Sequence, residues 1–237
     1  MKEAAGSTAR RAARREALVA FGFLVPAYIL YILFALLPVM AIMVFSFAAI
    51  DRFNWNVDFA GLDNFTFVVG DPRFWKSFSN TLLFVALAVT GNVGLGLLLA
   101  VLLNRRLPAA VLYVLRLAYF LPVLIATALV SLVWRFIYST DLGILNYYAQ
   151  VLGLPKTGWL TDRHVAMLSV VIMDVWKHFG FFMIILLAAL QSVPRTLIEA
   201  ASLDGAGPTR IFRSVQIPVI MPIVLFCVSY ATTRVLT

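Results

Sequence analysis

The chain has 237 residues, of which 62% are apolar and only 13% charged, against about 45–50% and about 25% in ordinary soluble domains. That much apolar surface cannot be hidden inside a soluble fold of this length, so a bilayer is its natural solvent. The formal charge of +8 does not mark a nucleic-acid binder, because the basic residues are scattered between long uncharged runs rather than gathered on one polar face.

Residues 1–17 form a basic tail with Lys2, Arg10, Arg11, Arg14 and Arg15, and the run from Ala17 to Ile50 carries no charge. The apolar core of a signal peptide is only about 7–15 residues long, so the run is read as a retained span at the head of a transmembrane domain covering 18–237. A bilayer crossing needs about 20 apolar residues in helical form, because the backbone must find its hydrogen bonds within the segment. Five stretches qualify: Leu18 to Phe47, Thr81 to Leu103, Val111 to Tyr138, Val165 to Gln191 and Val219 to Leu236. Pro26, Pro38 and Pro122 predict kinks, and Gly91, Gly94 and Gly96 predict close helix approach.

The connections alternate in charge. The tail, the Asn104-Arg105-Arg106 turn and the segment with Arg195, Arg210 and Arg213 are basic, and the positive-inside rule puts them in the cytoplasm. The segments 51–76 and 139–164 are then outside; the first holds Asp51, Asp58, Asp63 and Asp71 against three basic residues. Trp55, Trp75, Trp134 and Trp159 fall near the outer ends of spans or in these loops, where interfacial aromatics belong. The expectation is a multi-pass protein of the cytoplasmic (inner) membrane, in contact with lipid and with its N-terminus cytoplasmic. Cys227 is the only cysteine, which rules out an intrachain disulfide or a thiolate metal cluster.

The cytoplasmic loop 192–218 has its own pattern. Pro194 suits the first turn of a short helix running through Ala200, Ala201 and Leu203, and Gly205, Gly207 and Pro208 end it. Thr209 can cap a second short helix through Phe212 and Val215, which Pro218 stops before the fifth span. The pattern predicts a two-helix knob able to seat in a groove of another protein. A loop resting on lipid headgroups would explain its basic residues, but not Glu199-Ala200-Ala201 followed by Asp204-Gly205-Ala206.

Those residues, with Ile217-Pro218 and Pro222, resemble the EAA motif of the permease subunits of binding-protein-dependent ABC importers. The likeness extends over nearly the whole chain, through Phe23-Leu24-Val25-Pro26, Leu37-Pro38, Asn80-Thr81-Leu82, Tyr119-Phe120-Leu121-Pro122, Gly143-Ile144-Leu145-Asn146 and Leu190-Gln191-Ser192-Val193-Pro194. It is nearest the permeases for sugars and related polyols, the maltose and glycerol-3-phosphate type. The resemblance implies an all-α transmembrane bundle of the type I importer permease fold, of which five spans are present and the usual sixth is absent. It implies a coupling helix in which Glu199, Ala200, Ala201, Asp204 and Gly205 meet an ATP-binding subunit. A second homologous permease and an external substrate-binding protein are the other implied partners.

Charges inside a span are costly and usually face a bundle interior or a cavity. Asp174, Lys177 and His178 stand at i, i+3 and i+4 of the fourth span, on one helical face. A self-neutralising Asp174–Lys177 pair would stabilise packing. Alternatively this face, with Trp176 and with Asn92 of the second span, lines a translocation path for a sugar. No nucleophile–base set, metal-ligand spacing or phosphate-binding loop occurs, so the chain is not expected to be an enzyme or to carry a cofactor, and ATP hydrolysis falls to a partner. Two other readings remain: an ion-coupled secondary transporter with Asp174 as its proton or cation site, and a membrane assembly subunit without a transport role.

Overall fold

The computed structural model describes residue 16 and residues 19–50, 57–105 and 108–236. Most of the basic tail, together with Asp51, Trp55 and Arg106, lies outside them. The elements in order are α1 (Val19–Phe45), β1 (Ala48–Ile50), β2 (Val57–Phe59), α2 (Asp63–Gly70), α3 (Pro72–Leu103), α4 (Ala109–Leu124), α5 (Thr127–Ile137), α6 (Ile144–Val151), α7 (Ala166–Gln191), α8 (Arg195–Leu203) and α9 (Pro208–Leu236). Helices α1, α3, α7 and α9 are each long and apolar enough to cross a membrane, and α4 with α5 makes a fifth span if that bent pair crosses as one. The chain divides into two compact units, 1–77 and 78–237.

In the first unit the segment after α1 is more ordered than a plain outer loop. Its two three-residue strands pair antiparallel with Ala48 opposite Phe59. The Asn64 amide holds the entry to this hairpin by donating to the carbonyls of Ser46 and Ala48, both at 3.0 Å, while Phe47 packs on Phe65.

Pro26 and Pro222 are carried inside regular helix, and the other prolines of the spans are accommodated in two ways. In α1 and α9 the turn before the proline widens: the Leu37 N–H reaches the Ile32 carbonyl, and the Ile217 N–H reaches that of Phe212, five residues back. Pro38 and Pro218 come next, lacking an N–H and needing room for the ring against the carbonyl four residues behind. A π turn supplies that room without ending the helix. This corrects the expectation that Pro218 stops a short helix; the helix starting at Pro208 runs straight into the fifth span. Its N-cap is Gly207, with Pro208 at the first helical position, and not Thr209.

The third span shows the other outcome. Pro122 lies inside α4, Ile125 and Ala126 are extended, and α5 leaves at 98° to α4. The uninterrupted helix expected from Val111 to Tyr138 is therefore broken, with Ile125 N–H closing a tight turn on the Pro122 carbonyl.

In the second unit α7 is the central helix, packed against α4 and α9. Its buried Phe182, Met183, Leu186 and Leu190 meet Val93, Ala100 and Leu103 of α3 and Ile220 and Cys227 of α9. Glycines set the spacing: a Cβ at Gly96 would press on Phe182 and the backbone of Met183, and one at Gly180 would run into the Tyr119 carbonyl. The segment 139–164 is organised by buried Asn146. Its amide donates to the Thr140 and Thr157 carbonyls at 3.0 and 2.9 Å, and its oxygen accepts from the Thr157 N–H and the Trp159 indole at 3.0 and 3.1 Å.

The contrast between two helical glycines is testable. Gly180→Val forces α4 and α7 apart and destabilises the protein by about 1–3 kcal/mol or more. Gly94→Ala meets nothing within 4 Å and is neutral or stabilising by up to about 1 kcal/mol. Thermal denaturation of the purified protein in detergent reads both, and equal melting temperatures for the two variants would contradict the packing described.

Candidate functional site

Two regions carry the sequence-predicted site residues, and both lie in the second unit. The first is the 192–218 loop. Helix α8 ends in a Schellman motif: the Gly205 N–H bonds the Ser202 carbonyl, and the Ala206 N–H bonds that of Ala201, at 3.0 Å each. The motif needs a left-handed residue after the cap, and Gly205 has φ +77°. Glycine is required there by the backbone rather than by crowding, since a Cβ would meet nothing within 4 Å.

The bend leaves Glu199, Ala200, Asp204 and Gly205 exposed, with Ala201 half-buried toward the start of α9. Leu203 caps the knob at 89% exposure. Ala201, Asp204, Arg210 and Ser214 border a cleft of about 170 Å³ between the two arms.

The second region is a polar cluster inside the bundle. The Asp174 carboxylate accepts two parallel bonds from the Arg234 guanidinium, 2.9 Å from Nη2 and 3.1 Å from Nη1, a geometry that adds direction to charge. The amide of Asn92, fully buried on α3, donates to Asp174 and to the Ala88 carbonyl at 2.8 Å each. These two acceptors fix the amide's orientation and leave its oxygen without a partner among the described residues. Arg234 Nη1 lies 3.1 and 3.2 Å from the two His178 ring nitrogens, which puts it over the imidazole face. His178 Nδ1 is left to donate to Asp174, whose carbonyl oxygen is 2.9 Å away.

The structure thus unites Asn92 and Asp174 but does not form the Asp174–Lys177 pair. Lys177, only 5% exposed, reaches instead to the hydroxyl of Thr127 in the first turn of α5. Lys177 and His178, at i+3 and i+4, lie on opposite sides of Asp174 on the helix, and the bidentate guanidinium reaches the carboxylate on the His178 side. Trp176 packs edge-on against Trp134 of α5, with ring centroids 5.6 Å apart. Sequence reasoning missed Arg234 and Thr127. The signal for Arg234 was available: it is the one charged residue from Ile217 to Leu236, as Asp174 is the one carboxylate from Ala166 to Gln191, and two lone opposite charges in apolar spans tend to meet.

A family model described as a binding-protein-dependent transport system inner membrane component matches residues 92–237. A probable ABC transporter permease protein of Sinorhizobium fredii is 36% identical over 173 residues, 73% of this chain and 55% of that protein. The sn-glycerol-3-phosphate transport system permease protein of Pectobacterium atrosepticum is 31% identical over 219 residues, 92% of this chain and 73% of its own length. In fold, the chain is similar to a subunit of a bacterial ABC transporter that imports the acidic polysaccharide alginate, with a TM-score of 0.80 over 93% of this chain and 74% of that one, at 21% identity.

The Lys177–Thr127 contact gives a stability test. Thr127→Val removes the partner of a buried ammonium and costs about 1–3 kcal/mol, whereas Thr127→Val with Lys177→Met removes both ends and costs less than Thr127→Val alone. Thermal denaturation of the wild type and three variants closes the cycle. A double variant that melts below both singles would mean that Lys177 is held by something other than Thr127.

Proposed function

The chain belongs to the binding-protein-dependent inner membrane components, the permease subunits of ABC importers, and from that premise we propose that it translocates a carbohydrate or related polyol. The solute is delivered by an external binding protein, and transport is energised by ATPase subunits that grip the 192–218 loop. The observation that carries the coupling role is the loop's shape: a short helix closed by a left-handed glycine, with an exposed Leu203 at its tip, set directly before a spanning helix. Glu199, Ala200, Ala201, Asp204 and Gly205 are its docking surface, and ATP is hydrolysed in the partner.

The loop and the N-terminus are cytoplasmic in this reading, segments 51–76 and 139–164 face outside, and a second homologous permease completes the pore. The solute class is supported by relatives named for sn-glycerol-3-phosphate and alginate. Asn92 and Asp174, with Trp176 and Lys177 on neighbouring faces of α7, border the path between the two access states. The bidentate Arg234 disfavours Asp174 as the ion site of a secondary transporter, because a carboxylate already holding a fixed cation is a poor resting place for a second.

Two measurements test the proposal. Gly205→Val places a β-branched residue in the left-handed region at a cost of about 1–2 kcal/mol, which lowers recovery of the ATPase subunit with the tagged permease about tenfold. Gly205→Asn, whose side chain tolerates that region, retains most of it. Undiminished recovery with Val would remove the loop from the docking surface. In uptake assays on correctly inserted protein, Asp174→Asn and Lys177→Met each reduce transport, and unchanged uptake in both would take this face off the path.

A further inference from the structure

We infer that Arg234 is a positioning residue that delivers movement of the 192–218 loop to the polar face of α7, its ion pair with Asp174 being the joint. The inference rests on reading that loop as the ATPase-docking element, and it adds the route by which docking is felt inside the membrane.

Loop and arginine stand on one rod. Helix α9 is continuous from Pro208 to Leu236, so Arg234 rides about 39 Å along the helix that begins at the loop's second arm. A twist imposed at Pro208 reaches Arg234 through continuous helix, across the π turn at Phe212–Gln216 and past Pro222, with no intervening loop.

The rod is held by a narrow seam. The buried residues of α9 are Ile220, Cys227 and Ala231, spaced by seven and four along one stripe, with Tyr230 beside it against Phe181 and Phe182. Cysteine and alanine allow close approach but interlock weakly, so the seam sets the distance between α9 and α7 better than it sets rotation. Rotation is fixed by the two-point hydrogen bond of Arg234 on Asp174. Both side chains are largely enclosed, Arg234 at 22% and Asp174 at 12% exposure, and a bidentate charge-assisted pair resists separation, so the pair moves as a unit.

The receiving end involves three helices. Asp174 of α7 is bonded by Asn92 of α3 and by Arg234 of α9, and His178 lies under the guanidinium. Among the described residues the Asn92 oxygen has no hydrogen-bond partner. An open acceptor is one to which a displaced donor can turn, so displacement of Arg234 shifts α3 and α7 together, the two helices that carry the proposed path residues.

The test is stimulation of ATP hydrolysis by the loaded binding protein in proteoliposomes of the complete transporter, with ATPase co-purification measured on the same samples. Arg234→Ala and Asp174→Ala each retain the ATPase subunit but lose stimulation by about fivefold or more. The reversal Asp174→Arg with Arg234→Asp recovers much of it, which a merely structural side chain would not do. Full stimulation in both single variants, or a reversal no better than the singles, overturns the inference. So does loss of the ATPase subunit from the Arg234→Lys variant, which keeps the charge, because the defect would then lie in assembly. A wild-type chain that retains no ATPase subunit overturns the docking-loop reading itself, a result distinguishable from these by the wild-type lane alone.

Discussion

In a bilayer the backbone has no solvent to fall back on, and every N–H and C=O within the apolar layer must be satisfied by the chain itself. The prolines inside the spanning helices, Pro26, Pro38, Pro122, Pro218 and Pro222, are therefore a main structural problem, and the architecture follows from how they are met. At Pro38 and Pro218 the preceding turn widens to five-residue hydrogen bonding and the helix continues. At Pro122 the helix ends two residues later and its successor leaves at 98°. The same residue type thus yields a long rod in one place and an elbow in another; Pro26 and Pro222 are carried inside helices with no widened turn at all. The elbow in turn sets Thr127 at the start of α5, where the ammonium of Lys177 finds its hydroxyl.

Close packing is the second consequence. Apolar burial does little to join helices in lipid, so contact and fit must do it. Helix α7 meets α3 and α4 through glycines whose missing Cβ lets backbone approach backbone, at Gly96 and Gly180. A helix so enclosed can carry polar groups that would be ruinous on a lipid-facing surface. Its carboxylate, lysine and histidine lie within five residues of one another, and the described partners of all three come from helices of the same unit.

Sequence patterns revealed the parts that depend on local chemistry. Helix content, the positions of the spans and the knob closed by Gly205 follow from apolar run length and from the one backbone angle that glycine alone adopts freely. Two kinds of feature were hidden. The first was which prolines end a helix: Pro218 and Pro122 look alike in a string of letters, and only the geometry of the preceding turn separates them. The second was which charges pair. Spacing along α7 suggested Asp174 with Lys177, yet the carboxylate is taken by Arg234, 60 residues away in sequence. Pairing across helices depends on rotation about each axis, which periodicity does not determine for helices apolar on nearly every side. The short hairpin after α1 was hidden for a related reason, since three-residue strands are below the length at which alternation can be read.

The continuity of α9 changes what the 192–218 loop can do. Had Pro218 stopped the helix, the knob would be tethered to the span by a joint, and movement of the knob would dissipate there. With the π turn in place the knob's second arm is the span's own first turn. A force at Asp204 or Leu203 is then borne by a helix that is held at Arg234 by a two-point ion pair. A π turn and an interior proline are both local loosenings of the hydrogen-bond ladder, so bending of the rod is concentrated between Phe212 and Pro222. That placement is close to the loop and far from Arg234, and the geometry therefore favours rotation of the rod below the π turn over bending at the ion pair.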